Sequence, residues 1–379
     1  MNSKTDIVKT LSPLAAAMKA KKEISEPYVL CLGEGATLSS GCRAMRWAVR
    51  KTIADQSPWV LDDVLAALGR PERCGEDRDK FEALLQTLSE DEWYEDLLDE
   101  FFKLLDHRRG QERKQILNIF LAEDYPSTGY SFLALLAREG FFNVIFNANY
   151  DPLLQFALGR YLPSRDEQGR PVQPYQELIN RADPSVKREI EEALDSPTPR
   201  MKAVWLHGHL WEPSGIAFTP REKRDWYANV KDVVEKFFGL DLLLIGYTDR
   251  DADIRLALEN AQGEGSVWYV APERPRGAIA NALRARKHHI ISGQAADFDT
   301  FCQVLFDLTL GLDDPKKVQR DEAYRLELLR EKQRILEDYV MTLELRQDED
   351  PMAPPTLQDQ KQALQRELKS IEDTLQSLE

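Results

Sequence analysis

Six short apolar runs, at residues 28–33, 143–147, 203–206, 241–246, 266–270 and 288–291, stand out along the chain. They are rich in β-branched residues and separated by segments of helical periodicity, so each reads as a buried strand. Strands alternating with helices predict an α/β fold. The expected form is a Rossmann-like, mostly parallel six-stranded sheet, wrapped by helices through right-handed crossovers.

The long gap between the first two runs is helical in pattern. Leu61, Val64, Leu65 and Leu68 share one face, and the apolar segments 81–88, 93–105 and 116–121 follow. Residues 57–127 are therefore expected to form a helical insertion on the sheet. The stretch 160–200 is polar, with turn signals at RDEQGRP and DSPTP, and predicts a smaller, partly helical excursion. Before the first strand, residues 1–27 read as an amphipathic helical arm, without the apolar region and cleavage site of a signal peptide.

The pattern changes after Leu312. Leu326, Leu329, Leu336, Val340 and Leu343 fall at spacings of three, four and seven, and Leu364, Leu368, Ile371, Leu375 and Leu378 repeat that seam. QDEDPMAPP separates them, and neither helix can run through it. Residues 313–379 thus predict a heptad-patterned helical hairpin beyond a domain spanning 28–312. Such a hairpin packs on its own domain or serves oligomerisation and partner docking. Polar residues around both seams favour the second role, and a homo-oligomer is expected.

Composition narrows the class. The chain has 379 residues, 42% of them hydrophobic, enough for a full core. No apolar run approaches the roughly 18 residues needed to span a bilayer. Cys31, Cys42, Cys74 and Cys302 are scattered without a CxxC pair, which argues against a disulfide scaffold or a zinc ribbon and for a reducing cytoplasm. The net charge of −15 repels a phosphate backbone, so no direct nucleic-acid binding is expected. Arg43, Arg46, Arg50 and Lys51 read as a solvated helix face.

Four segments at strand ends carry candidate chemistry. In LCLGEGATLSSG, Gly33 and Gly35 follow a strand and precede a helix, which lets backbone approach a pyrophosphate. An ordinary tight turn fits the same pattern, since Leu38 breaks the dehydrogenase fingerprint, and Glu34 places a carboxylate beside the loop. In VIFNANYDPLL, Asn149 and Asp151 follow a strand; Asp151 before Pro152 is also a helix-capping arrangement. In VWLHGHL, His207 stands at a strand end, where an imidazole can accept a proton near pH 7. His209 is its possible partner, or a residue satisfied in the core. In LLLIGYTDRDADI, a strand breaks at Gly246, and Asp249 or Asp251 can meet a ribose hydroxyl or cap the next helix. The histidines make neither HExxH nor a spaced zinc set, so no metal site is expected.

The order of these pieces resembles the sirtuin family, and more closely the divergent sirtuin-like domains of bacterial anti-phage defence. By that resemblance Gly33, Gly35, Ala36 and Thr37 match the glycine-rich loop, with Gly41 and Trp47 continuing it. Asn149 and Asp151 match the NxD signature and His207 the catalytic histidine. Gly246, Tyr247, Thr248 and Asp251 match the late loop. The resemblance implies NAD as substrate, cleaved to nicotinamide and ADP-ribose, with Asn149, His207 and Asp151 catalytic. It also implies gating by assembly or by a separate defence partner such as an ATPase. Two departures stand out: Glu34 replaces a small residue and Ala148 a hydroxyl or amide residue. Fewer than forty cysteine-free residues separate His207 from Gly246, leaving no room for the zinc module of the protein-deacetylating members. A non-catalytic module binding NAD or an ADP-ribose nucleotide is the alternative.

Overall fold

The computed structural model describes residues 4–39, 126–165, 168–181, 183–209, 216–217, 220–247, 252–312, 322–349 and 355–378. The expected insertion at 57–127 lies almost wholly outside them. Seven strands form one all-parallel sheet: β1 (Tyr28–Leu32), β2 (Phe142–Asn147), β3 (Gln176–Ile179), β4 (Lys202–Trp205), β5 (Leu242–Ile245), β6 (Val267–Val270) and β7 (His288–Ile291). Their order is β3-β4-β2-β1-β5-β6-β7.

Six of these strands coincide with the six apolar runs; β3 is a correction. Its sequence, Gln-Glu-Leu-Ile, buries only Leu178, because β3 is an edge strand and meets β4 on one side alone. A strand half-wetted in this way carries no apolar run for a pattern to reveal.

The inner strands are mainly apolar, with Asn143, Asn147 and Lys202 at strand ends, because helices cover both faces of the sheet. On one face Leu30, Leu32, Ile145, Trp205, Leu243 and Ile245 join the core of α1 (Lys4–Glu23), α3 (Thr128–Arg138), α4 (Leu153–Tyr161) and α9 (Phe298–Leu310). On the other, Val29, Cys31, Val144, Phe146, Leu242 and Leu244 meet α5 (Ser185–Asp195), α6 (Pro220–Phe238), α7 (Ala252–Asn260) and α8 (Gly277–Arg284). The alternation along each strand is the two-residue period of the pleat. A six-residue helix, α2 (Glu34–Ser39), follows β1.

Two long helices, α10 (Glu322–Glu349) and α11 (Pro355–Leu378), form the C-terminal hairpin and contact each other. Their seam closes within the chain: Leu329, Leu336, Ile371 and Leu375 belong to the same core as α1, α3 and α9. Lys332 is buried there between Asp307 of α9 (2.7 Å) and Glu367 of α11 (3.0 Å). Arg138 of α3 adds an ion pair to Glu331 at 2.8 Å. Among the described residues, no helix is long and apolar enough to cross a membrane.

Candidate functional site

The carboxyl ends of β1 and β5 meet at the point where the strand order reverses, and open α/β sheets hold ligands in the crevice at such points. Here the backbone turns are packed against one another. Gly33 N donates to Ile245 O (2.8 Å), Gly35 N to Gly246 O (3.1 Å), and Ala36 N to Gly33 O (3.1 Å). A Cβ on Gly35 would lie 2.7 Å from Gly246 Cα, and one on Gly246 would lie 2.8 Å from Gly35 Cα. Gly246 also has φ +74°, a conformation that costs any side chain. The glycines on both strand ends are therefore required by mutual backbone contact. Two amides of the glycine loop, those of Gly33 and Gly35, are spent on that contact and a third, that of Ala36, on the loop itself, so these three do not face a ligand.

β2 supplies the next group. Ala148 N donates to Leu32 O (2.9 Å), which ties the chain after β2 to the end of β1. Asn149, buried, donates from Nδ2 to Gly33 O at 3.1 Å, and its own N–H is held by Asn147 Oδ1 at 3.2 Å. The amide nitrogen of Asn147 is fully buried and has no hydrogen-bond partner among the described residues, a donor left over at the strand end. Asp151 is buried and accepts from Leu153 N at 3.1 Å, so it caps the start of α4.

His207 follows β4. Its main chain is fixed by Ala217 N, which donates to His207 O at 2.9 Å, and by Leu206 N, which donates to Asn147 O at 2.9 Å. Asn180, after β3, donates from Nδ2 to Leu206 O (3.0 Å) and supports the same turn. The ring is 2% exposed, with Nδ1 3.1 Å from Ala148 O and Nε2 2.5 Å from Asp253 Oδ2. Each ring nitrogen thus faces an acceptor. Asp253 comes from the first turn of α7. Burial opposes its charge, but the His207 ring, Lys223 and the Ile254 N–H outweigh it and hold the carboxyl down to about 2.

Tyr150 and Lys223 flank this pair. The Tyr150 ring lies 6.1 Å from the His207 ring, and its hydroxyl donates to Ala217 O at 2.5 Å. Burial raises the Tyr150 hydroxyl above its ordinary value, although Lys223 pulls the other way. Lys223 Nζ, from the start of α6, stands 5.6 Å from the Tyr150 ring.

The structure therefore gathers Gly33, Gly35, Ala36, Asn149, Asp151, His207 and Gly246 at one edge of the sheet. Tyr247 is placed differently. Its ring is buried with the α5–α8 face, and its hydroxyl donates to Leu32 O (2.9 Å) beside Cys31 Sγ (3.1 Å). The Thr37 backbone lies in α2; Thr248, Asp249, Asp251, Gly41 and Trp47 lie outside the described residues. Glu34 opens α2, where a carboxylate favours the helix N-terminus. His209 turns away from His207, edge-on to Trp205 at 5.3 Å and 4.0 Å from Glu177.

Sequence reasoning missed Asp253 and Lys223. Asp253 is the last of three acids in TDRDAD, and spacing cannot choose among Asp249, Asp251 and Asp253 when loop and helix meet there. Lys223 carries no signal beyond standing early in a helix.

Residues 143–291 match the SIR2-like domain model. The matched segment runs from β2 to β7 and contains Asn149, Asp151, His207, Gly246 and Asp253, while the Gly33–Ala36 turn lies before it. No curated protein matches the chain. A SIR2-like domain implies that NAD is bound. The site suits such a ligand in having Asn149 and the leftover Asn147 donor at the end of β2, beside a backbone turn close enough to exclude side chains.

Proposed function

We propose that this chain is an NAD glycohydrolase, and that it acts as the effector of an anti-phage defence system in the cytoplasm. The observation that carries the reading is the meeting of Asn149 and His207 at the tip of β2. Asn149 is pinned to Gly33 O, and the adjacent Ala148 carbonyl holds His207.

The chemistry follows from the charge that develops. As the bond from ribose C1 to nicotinamide breaks, its electron pair neutralises the pyridinium nitrogen and the sugar becomes cationic. Water adds to C1 and gives up a proton, leaving nicotinamide and ADP-ribose. Asn149 would orient the ribose and the water. His207 would take the proton, directly or through a ribose hydroxyl, a contribution of about 10²–10⁴-fold. Asp151, as the cap of α4, would fix the start of the helix beside Asn149. Ala36, Thr37, Tyr247, Thr248 and Asp251 complete the proposed NAD contacts, Tyr247 by holding the end of β1.

The resemblance of the motif set supports the defence assignment and, with it, gating by assembly or by a partner such as an ATPase. Because the seam of α10 and α11 is closed inside this chain, the partner or second copy would meet the outer faces of the hairpin. The test is incubation of the purified protein with NAD and chromatography for nicotinamide and ADP-ribose, with N149A and H207A beside it. Both variants are expected to lose turnover by at least 10²-fold; unchanged turnover in either removes that residue from the mechanism.

A second reading is a non-catalytic scaffold that binds NAD or an ADP-ribose nucleotide. Glu34 at the start of α2 and Ala148 after β2, the two departures from the family pattern, favour it. Tight NAD binding without product, in the presence of any partner, would select this reading.

A further inference from the structure

We propose that Asp253 is the positioning residue of this site, holding the Nε2 proton of His207 so that Nδ1, facing the tip of β2, is the nitrogen that exchanges a proton with substrate. This deepens the glycohydrolase reading and rests on it for the identity of that substrate.

The geometry divides the ring into two sides. Nε2 points to Asp253 on α7 at 2.5 Å, an ionised carboxylate that only accepts. Nδ1 points to Ala148 O at 3.1 Å, next to Asn149. Both partners only accept, so the geometry fits an N–H on each nitrogen of the proton-loaded ring, and the charged carboxylate is the stronger holder of the one proton that the base form keeps. In the base form Nδ1 has lost its proton and its lone pair can no longer be held by Ala148 O. A water or ribose hydroxyl then gives its proton to Nδ1, and the N–H so formed returns to the Ala148 carbonyl. Asp253 keeps its proton partner through both states and offsets the charge of the loaded ring.

The surroundings suit this assignment. Around the pair stand Lys223 and Tyr227 of α6 and Tyr150 after β2, with Glu222 beside Tyr150. The His207 ring and, to a lesser degree, Lys223 favour the charged form of Asp253 against its burial, and the buried Tyr150 hydroxyl is engaged with Ala217 O. Gly246 packs against Gly35, and Asp253 at the start of α7 meets His207. The carboxylate thus fixes the ring from the first turn of α7.

The test has two arms. In the first, the pH dependence of NAD turnover is compared among the intact chain, D253N and D253E. D253N is expected to lower kcat on the plateau about 100-fold, leave KM within about threefold, and move the acid limb about one pH unit lower, since the carboxylate no longer favours the loaded ring. D253E is expected to regain part of the plateau. A merely structural role would lower stability or kcat without moving the limb, and that result in a folded D253N overturns the proposal. The second arm needs no activity: ring-nitrogen NMR of ¹⁵N-histidine-labelled protein, with H207Q assigning the signals. Nε2 of His207 should stay protonated from about pH 5 to 9 while Nδ1 alone titrates, a preference lost in D253N. A ring that instead keeps its proton on Nδ1 overturns the proposal. Should the intact chain leave NAD untouched with its partner present, the glycohydrolase reading fails, and the nitrogen spectra alone decide the role of Asp253.

Discussion

Replacing Gly246 by alanine tests whether the two strand ends at the centre of the sheet really depend on backbone contact. The new Cβ would lie 2.8 Å from Gly35 Cα and N and 3.0 Å from Ala36 N, each well inside contact distance. The left-handed φ of +74° adds about 1–2 kcal/mol for any side chain, and forcing a methyl into a packed turn adds about 1–3 kcal/mol. The expected loss is therefore about 3 kcal/mol. G35A meets Gly246 Cα at 2.7 Å but needs no left-handed backbone, so only the overlap applies and its loss should be smaller. G159A is the control: nothing lies within 4 Å of its Cβ inside α4, so it should stabilise by about 0.5–1 kcal/mol. The doubly substituted G35A/G246A should cost less than the sum, because one shift of the turn relieves both overlaps. Urea unfolding followed by circular dichroism and tryptophan fluorescence measures all four. The same shift would draw Gly33 O from Asn149, so NAD affinity should fall about tenfold in G246A. Wild-type stability in G246A, or a loss no greater than that of G35A, would refute the reasoning.

Two further substitutions probe buried charge away from the site. K332M should cost about 3–5 kcal/mol in thermal or urea unfolding, because it leaves Asp307 and Glu367 facing each other without the ammonium; K332M combined with D307L and E367L should recover most of it. Asp299 is pushed up to about 7, chiefly by burial, while its carboxylate accepts from Gly129 N at 2.7 Å. The folded state thus holds its proton more tightly than the unfolded chain does. The resulting penalty is absent below about pH 4 and grows to its full size above about pH 7. D299N should consequently stabilise the protein at pH 8 and be near neutral at pH 4.5 by urea midpoint.

How much was legible in the sequence depended on whether one segment carried enough signal by itself. Strands β1, β2, β4, β5 and β6 appear as apolar runs because burial of a strand between neighbours and helices demands apolar residues one after another; β7, at the other edge and burying only Ile291, was legible through its Ile290-Ile291 pair. The edge strand β3 escaped, since only Leu178 answers to that demand. The motif residues Gly33, Asn149, His207 and Gly246 were legible as strand-end punctuation, and the parallel fold brings all four to one edge. Their partners were not. That Tyr247 spends its hydroxyl on Leu32 O, and that His207 pairs with Asp253 and not with His209, depends on atoms 215 and 46 residues apart in the chain.

The C-terminal seam shows the same division. Its heptad spacing determined that α10 and α11 would be helices with one apolar face each, because helical period is a local property. What covers that face is a tertiary matter. Leu329, Leu336, Ile371 and Leu375 close it against the protein's own core, and Lys332 is satisfied by one carboxylate from α9 and one from α11. Sequence by itself therefore determined the elements, their faces and the candidate chemistry at their ends. The tertiary structure decided which of those groups meet, because hydrogen bonds and apolar contacts pair residues by distance in space.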